Sequence, residues 1–164
     1  LGPLEAGEIV GRTGIMSDGY LNRDDATKAM HWFDENGQLF YRSGDVGYLD
    51  EDGWLFLSDR IKDMILSGGQ NIYATDLEEA LNAASDVVES AVVARPSDHW
   101  GETPWAFVVK QPGSMRSEDD IRHEANGRLS SIQAIAGVTF MNELPRSDIG
   151  KILKRQLREA FTED

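Results

Sequence analysis

Residues 41–79 limit the possible folds of this chain more than any other stretch. Two runs of alternating apolar residues flank the turn sequence at 50–53, Asp-Glu-Asp-Gly, and this pattern predicts a β-hairpin. Beyond the hairpin, residues 59–62 place three charges between apolar runs, and Gly68-Gly69 interrupts the apolar pattern again. A charged break followed by a glycine turn indicates a place where two parts of a chain can pivot.

The remaining sequence predicts short strands interleaved with helices. Further strands are expected at 7–11, 38–42, 64–66, 71–73, 87–94, 105–110 and 138–141, and helices at 24–30, 76–84, 118–129 and 152–161. Thr75 and Glu78 have the spacing of a capping box, and Arg95 to Pro104 is predicted to be a loop fixed by proline. Together these elements predict an α+β fold, a small sheet with antiparallel hairpins covered by helices.

One domain boundary is expected, at residues 59–62. The first seven residues contain neither an initiator Met nor a leader pattern, so the chain is expected to be a piece of a longer protein.

Composition excludes several classes of function. The net charge of −13 argues against a surface for nucleic acid or anionic membrane, and no apolar run approaches the ~20 residues that cross a bilayer. The absence of cysteine excludes disulfides, zinc–thiolate sites and an enzyme-bound cysteine thioester, and is compatible with a cytoplasmic location. His31, His99 and His123 lack partners at metal-ligand spacing, so no metal ligand is predicted.

Positive charge is concentrated near the end of the sequence. Between residues 146 and 158 there are five cations and one acid within a strongly negative chain. If the protein handles phosphates, this segment is where they should meet positive charge.

Four segments carry a family resemblance: YRSGD at 41–45, SDRIKDMILSGGQNIY at 58–73, DHWGE at 98–102 and PRSDIGKILKRQLR at 145–158. In this order they resemble the adenylate-forming enzymes, the superfamily of acyl-CoA synthetases, peptide-synthetase adenylation domains and luciferases. The resemblance covers nearly the whole chain. It implies that residues 1–60 are the β-rich tail of a large N-terminal AMP-binding domain and that 61–164 form its small mobile C-terminal domain.

The resemblance also implies an activity, most similar to that of an acyl-CoA synthetase. Such an enzyme joins a carboxylic acid to ATP, giving acyl-AMP and pyrophosphate, and then transfers the acyl group to the thiol of CoA. ATP would come with Mg²⁺ held mainly by the N-terminal domain and the phosphates, and fatty acid metabolism is one expected setting.

Individual roles follow from matching positions. The resemblance implies that Lys151 is the catalytic cation of adenylation, that Asp45 and Arg60 bind the nucleotide, and that Lys62 is the hinge. Without it, Asp45 would be interpreted as a turn residue that accepts from local amides, Arg60 as a surface partner of Asp59 or Asp63, and Lys62 as an exposed loop lysine.

The resemblance implies that Gly68 and Gly69 line the tunnel for the pantetheine arm of CoA, and that Trp100 lies near the CoA adenine. The glycines are equally typical of a hairpin turn, and Trp100 of a packed loop aromatic, so both interpretations remain open.

One departure from the family concerns the thiol acceptor. No Lys or Arg occurs between Arg128 and Arg146, where several acyl-CoA synthetases have basic residues for CoA. A ligase that uses a carrier-protein phosphopantetheine, or stops at acyl-AMP, is therefore an alternative. A non-catalytic interaction fragment is a second.

Overall fold

A computed structural model describes residues 1–161 of the chain. These residues divide into two compact units, unit 1 from Leu1 to Lys62 and unit 2 from Asp63 onward.

Unit 1 is a four-stranded antiparallel sheet with one helix. Its elements are β1 (Gly7–Gly11), α1 (Asp24–Met30), β2 (His31–Phe33), β3 (Leu39–Leu49) and β4 (Leu55–Arg60). The long strand β3 pairs with β1, β2 and β4. The predicted hairpin is confirmed: Leu49 lies opposite Leu55, and Oδ1 of Asp50 accepts from the amide of Trp54 at 2.8 Å across the turn.

Unit 2 contains a five-stranded sheet and three helices. Its strands are β5 (Ile65–Ser67), β6 (Gln70–Ile72), β7 (Val87–Ser97), β8 (Gly101–Lys110) and β9 (Gly137–Phe140), and its helices are α2 (Ala74–Asn82), α3 (Glu118–Asn126) and α4 (Lys154–Glu159). The order is β6-β5-β8-β7, and β9 pairs with β8 in parallel while the other pairs are antiparallel. This arrangement confirms the predicted α+β class.

Both faces of the β7–β8 hairpin are buried because successive side chains of a strand point to opposite faces. On one face, Val92 and Val108 pack with Leu77, Leu81 and Ile121 from α2 and α3. On the other face, Ala91, Val93 and Phe107 pack with Leu144 and with Leu157 of α4. Leu144 and Leu157, near the C-terminal end of the described residues, cover the second face.

The predicted capping box at Thr75 is wrong, because α2 begins at Ala74 with Tyr73 as its N-cap residue. The side chain of Glu78 has partners outside this helix: its Oε1 accepts from the amide of Val92 at 2.8 Å and contacts the ammonium of Lys154 at 2.8 Å. Helix α3 is capped by Ser117, whose side chain accepts from the amide of Asp120.

The predicted loop from Arg95 to Pro104 is also wrong. The strands β7 and β8 continue through both prolines, with Pro96 opposite Glu102 and Pro104 opposite Ala94. Proline removes a donor from a sheet but keeps its carbonyl acceptor, and the oxygen of Pro104 accepts from the amide of Ala136 at 2.9 Å. The connection is thus reduced to residues 98–100.

The last helix is shorter than predicted. It starts at Lys154, whereas Ile152 pairs with Arg146 as an isolated β-bridge. Among the helices of residues 1–161, none is long and apolar enough to cross a membrane.

Candidate functional site

Asp45 and Arg60 face each other across strands β3 and β4. They are paired positions in the ladder, and Nε of Arg60 donates to Oδ1 of Asp45 at 3.1 Å. The guanidinium of Arg60 thus contacts Asp45, whereas the alternative interpretation expected Asp59 or Asp63. The backbone amide of Arg60 donates to Oδ1 of Asp59. Gly44, with φ of +76°, and the bond from the amide of Asp45 to Oγ of Ser43 turn the Asp45 backbone locally.

A pocket of about 710 Å³ opens beside this pair within unit 1. Arg60 lines it together with Ser43, Gly44 and Lys62, and an ion pair of Arg42 with Glu8, 3.5 Å apart, lies at its wall. The pocket brings part of the YRSGD segment together with four cations, Arg23, Arg42, Arg60 and Lys62. Such a lining suits a polar, negatively charged ligand.

Lys62 lies in a short 3₁₀ turn, Ile61–Asp63, at the boundary between the two units. Its side chain is exposed. On the other side of the boundary, the carboxylate of Asp63 is held by the guanidinium of Arg158 at 2.5 Å. Asp63 is therefore anchored to α4.

Gly68, Gly69 and Trp100 come together at one end of unit 2. The amide of Gly68 donates to the carbonyl of Trp100 at 2.9 Å, and both glycines have positive φ, +55° and +80°. A Cβ at Gly68 would lie 2.8 Å from Cε3 of Trp100, so the indole packs directly on this glycine. Because Trp100 is still 54 % exposed, packing and ligand contact are both compatible with its position.

Glu102 fixes this end of unit 2, a role that the sequence did not reveal. Its Oε2 accepts from the amide of Leu66 at 2.8 Å and so ties β5 to the start of β8. Glu102 belongs to the DHWGE segment, and the resemblance of this segment to the family was the signal in the sequence that pointed to it.

A second pocket, of about 640 Å³, lies beside Gly68 and Trp100. Part of its wall comes from 131–136, the segment that lacks the basic residues of the family. Arg122 of α3 contributes a cation to the same wall, and Nη2 of Arg122 donates to Oδ1 of Asp119 at 2.8 Å. The cation on this wall is thus already paired with a carboxylate.

Lys151 follows a tight turn in a small hairpin, residues 146–152, which we call the Lys151 loop. The amide of Gly150 donates to the carbonyl of Ser147 at 2.8 Å, and the amide of Ser147 donates to the carbonyl of Lys151 at 2.9 Å. Gly150 has φ of +80°, a conformation that favours glycine. The side chain of Lys151 is exposed at this turn.

Lys151 differs from its neighbouring cations in its charge environment. Carboxylates hold the other cations of this segment in ion pairs: Arg146 with Glu89, Lys154 with Glu78, Arg155 with Glu159 and Arg158 with Asp63. Within the part of the chain that the structure describes, no ion pair includes Lys151. Its ammonium is therefore available to an external anion.

Arg146 connects the Lys151 loop to the sheet, and this too was missed from the sequence. Its Nη1 donates to the carbonyl of Gly150 at 2.8 Å, and its Nη2 donates to Oε2 of Glu89 on β7. The available signal was the period of two along β7, which puts Glu89 on the same face as Ala91 and Val93.

No group of three or more Asp, Glu or His side chains among residues 1–161 is arranged to hold a metal ion.

Comparisons with known proteins agree with the resemblance seen in the sequence. The family described as AMP-binding enzyme C-terminal domain matches residues 76–151. A 2-succinylbenzoate–CoA ligase of Bacillus cereus is 42% identical over 161 residues, which are 98% of this chain and 32% of that protein.

Two solved structures share the fold over nearly the whole chain. ATP-bound MatB from Rhodopseudomonas palustris has a TM-score of 0.88 at 32% identity, covering 99% of this chain and 32% of that one. The o-succinylbenzoate CoA synthetase MenE from Bacillus subtilis, in complex with the acyl-adenylate intermediate OSB-AMP, has a TM-score of 0.82 at 32% identity, covering 96% and 31%. This chain thus spans about a third of the length of the proteins it matches. It belongs to the adenylate-forming enzymes, of which it is a C-terminal part that carries the AMP-binding enzyme C-terminal domain.

Proposed function

We propose that this chain is the C-terminal part of an ATP-dependent acid–thiol ligase that produces an acyl-CoA. In the first half-reaction a carboxylate attacks the α-phosphate of ATP, and acyl-AMP and pyrophosphate form. In the second, a thiol attacks the acyl carbonyl and releases AMP. Residues 1–60 would be the tail of the large AMP-binding domain, and 61–164 the mobile C-terminal domain.

The observation that carries this proposal is the ammonium of Lys151, which lies at an exposed turn and forms no ion pair with any of residues 1–161. Carboxylates already hold the neighbouring cations. Negative charge grows on the phosphate and carboxylate oxygens during adenylation, and a fixed cation stabilises it. Lys151 can reach such oxygens without first losing a partner. It is the group that we assign to catalysis.

Asp45 and Arg60 would bind the nucleotide. Their contact at 3.1 Å orients the carboxylate of Asp45, which can then accept hydrogen bonds from ribose hydroxyls. The guanidinium of Arg60 lines the pocket of unit 1 and offers several donors in one plane to hydroxyl or phosphate oxygens.

The pocket beside Gly68 and Trp100 supports a pantetheine thiol as acceptor. Glycine backbone lets a narrow chain approach closely, the exposed indole offers a stacking surface, and Arg122 supplies a cation. The names of the relatives favour free CoA. A carrier-protein phosphopantetheine remains the alternative acceptor because residues 129–145 contribute no cation.

The carboxylic acid substrate is proposed from the relatives alone. The Bacillus cereus relative is named for 2-succinylbenzoate, which is therefore the first acid to test. These names do not support the expected setting in fatty acid metabolism. Mg²⁺ would stay with the phosphates and the N-terminal domain, where it would offset phosphate charge.

The test uses the longer enzyme that contains this chain. We expect exchange of pyrophosphate into ATP that depends on 2-succinylbenzoate or another carboxylic acid, followed by acyl-CoA formation. Turnover with CoA compared with turnover on a loaded carrier protein separates the two acceptors. The 164-residue chain alone should catalyse neither step, since a site divided between domains needs both held together.

A non-catalytic interaction fragment makes the opposite prediction. It requires that the longer protein shows no exchange with any acid offered.

A further inference from the structure

We propose that Arg146 and Glu89 form a brace that positions the Lys151 loop, so that Arg146 acts as a positioning residue for adenylation. This inference rests on the proposed role of Lys151. The observation behind it differs from the one behind the role of Lys151, because it concerns the attachment of the loop to the sheet.

The loop needs an attachment because its own turn is small. The base of the hairpin is closed by a backbone bond from Leu153 to Pro145 and by the bridge between Arg146 and Ile152, and Ile152 packs against the core. Nearer the tip, backbone bonds join Ser147 to Lys151 and Gly150 to Ser147. An isolated two-stranded hairpin is only marginally stable in water. The tip beyond these contacts, residues 148–151, is exposed, so the direction of the Lys151 side chain depends on what else holds the tip.

Arg146 supplies that contact through both arms of its guanidinium. One arm donates to the carbonyl of Gly150, the residue immediately before Lys151, at 2.8 Å. The other arm donates to the carboxylate of Glu89 on strand β7. The planar group thus joins the turn to the sheet, and a lysine ammonium, as a compact point charge on a flexible stem, lacks this fixed geometry.

Glu89 is held on a well-packed element. It shares its face of β7 with Ala91 and Val93, which are fully buried against Leu144 and Leu157. A bulge in the pairing with β8 occurs between Val87 and Glu89, and a bulge commonly redirects a neighbouring side chain. The carboxylate is therefore fixed by the sheet, and Arg146 transmits that fixed position to the loop.

The first measurement is amide hydrogen exchange on the 164-residue chain. Arg146→Gln should raise the exchange rates of the Gly150 and Lys151 amides, whereas the Leu66 amide, bonded to Glu102, should keep its rate. Unchanged exchange in the loop would overturn the brace, whatever the longer enzyme does.

The second measurement separates the two half-reactions in the longer enzyme. Arg146→Gln and Glu89→Gln should each slow acyl-AMP formation by about 10- to 100-fold, because displacements near 1 Å in a reacting group can cost 10²-fold. The KM for ATP and thioester formation from supplied acyl-AMP should stay near wild type. Equal loss in both half-reactions would mean that the pair only stabilises the fold, and the inference would be wrong.

Glu89→Gln also tests whether Arg146 acts merely through its charge. Removing an acid next to Arg146 makes the local potential more positive, so a charge effect predicts equal or faster adenylation. The brace predicts slower adenylation.

Two further variants complete the test. The charge-swapped pair Glu89→Arg with Arg146→Glu restores an ion pair but no donor to the Gly150 carbonyl, so it should not rescue the rate; rescue would refute the brace. Arg128→Gln is a matched control, because Arg128 and Glu124 are 42% and 26% exposed, compared with 43% and 28% for Arg146 and Glu89. It should leave both half-reactions unchanged.

The result that would refute the proposed function differs from the result that would refute the brace. If the wild-type enzyme shows no acid-dependent exchange, the proposed function is wrong. If it shows exchange and the Arg146 and Glu89 variants match it, only the brace is wrong.

Discussion

Alanine at Gly68 and at Gly69 should have clearly different costs, although the two glycines are neighbours in one turn. Both have positive φ, and this conformation costs a residue with a Cβ roughly 1–2 kcal/mol. Alanine also restricts the unfolded chain, which offsets about 0.4–1 kcal/mol. For Gly69, where nothing lies within 4 Å of a Cβ, the net loss in free energy of unfolding should be about 0.5–1 kcal/mol.

Alanine at Gly68 has a further, steric cost in free energy of unfolding. Its Cβ would lie 2.8 Å from Cε3 of Trp100, so the indole must move. Overpacking costs roughly 1–3 kcal/mol, and the low end applies because Trp100 is 54 % exposed and can shift. Gly68→Ala should therefore cost about 2 kcal/mol.

A double-mutant cycle isolates the contact between Gly68 and Trp100. Urea unfolding of the 164-residue chain, followed by ellipticity and by amide exchange in β5 and β6, gives the four stabilities. In a Trp100→Ala background the cost of Gly68→Ala should fall to that of Gly69→Ala, a coupling of about 1 kcal/mol. Equal costs for both glycines in the wild-type background, or no coupling, would refute the steric argument.

The other predictions concern single residues. Lys151→Ala in the longer enzyme should slow acyl-AMP formation by about 10²–10³-fold and leave thioester formation from supplied acyl-AMP nearly intact; equal slowing of both steps would contradict its role. Lys62→Pro should spare adenylation and block thioester formation, because proline fixes φ where the hinge must rotate, and equal loss of both steps would exclude position 62 as hinge. The Arg116 and Arg128 side chains and the amide of Ser85 lower the pKa of Glu124 from 4.5 to about 2, so its stabilisation is present above pH 4.5 and is lost as the pH falls toward 2. The difference in unfolding midpoint between wild type and Glu124→Gln should accordingly shrink over that range; a constant difference would show that Glu124 does not titrate in this way.

Local patterns in the sequence were enough to predict those elements for which several independent signals indicate the same structure. The hairpin around residues 50–53 was predictable because alternation of apolar residues and the Asp-Gly turn point to the same structure. Ser117 was predictable as a helix cap for a similar reason: its hydroxyl and the carboxylate of Asp120 have the right spacing.

The predictions from sequence were wrong where contacts between residues far apart in sequence determine the local structure. Thr75 and Glu78 have the same local spacing as a capping box, but Glu78 instead binds Val92 and Lys154, which are far away in sequence. Pro104 looked like the end of a loop, yet pairing with β7 and an acceptor bond with Ala136 keep it in the sheet. Single-sequence patterns carry no information about such partners.

The same limit applies to the candidate site. The resemblance pointed to Asp45 and Arg60, but their 3.1 Å contact follows from the register of β3 and β4. The support of the loops by Glu89 and Glu102 could not be predicted, because each acts on a residue more than thirty positions away.

The positions of those two glutamates bear on how one site could perform two reactions. In the ladder of β7 and β8, Glu89 lies opposite Val109, and Glu102 lies opposite Pro96. Val109 follows Glu102 by seven positions on β8, which corresponds to roughly 23 Å at ~3.3 Å per residue. The Lys151 loop, held through Glu89, and the turn at Gly68, held through Glu102, are thus attached to opposite ends of one hairpin.

Reacting groups must approach to about 3–3.5 Å, so under the proposed function we expect the Lys151 loop and the turn at Gly68 to face the reaction centre in different orientations of unit 2. If both loops act, unit 2 has to present first one and then the other. The rotation would have to occur in the backbone between the ladder contact at Arg60 and the anchored carboxylate of Asp63. Lys62 lies within that interval, and this is the structural argument for its proposed role as the hinge.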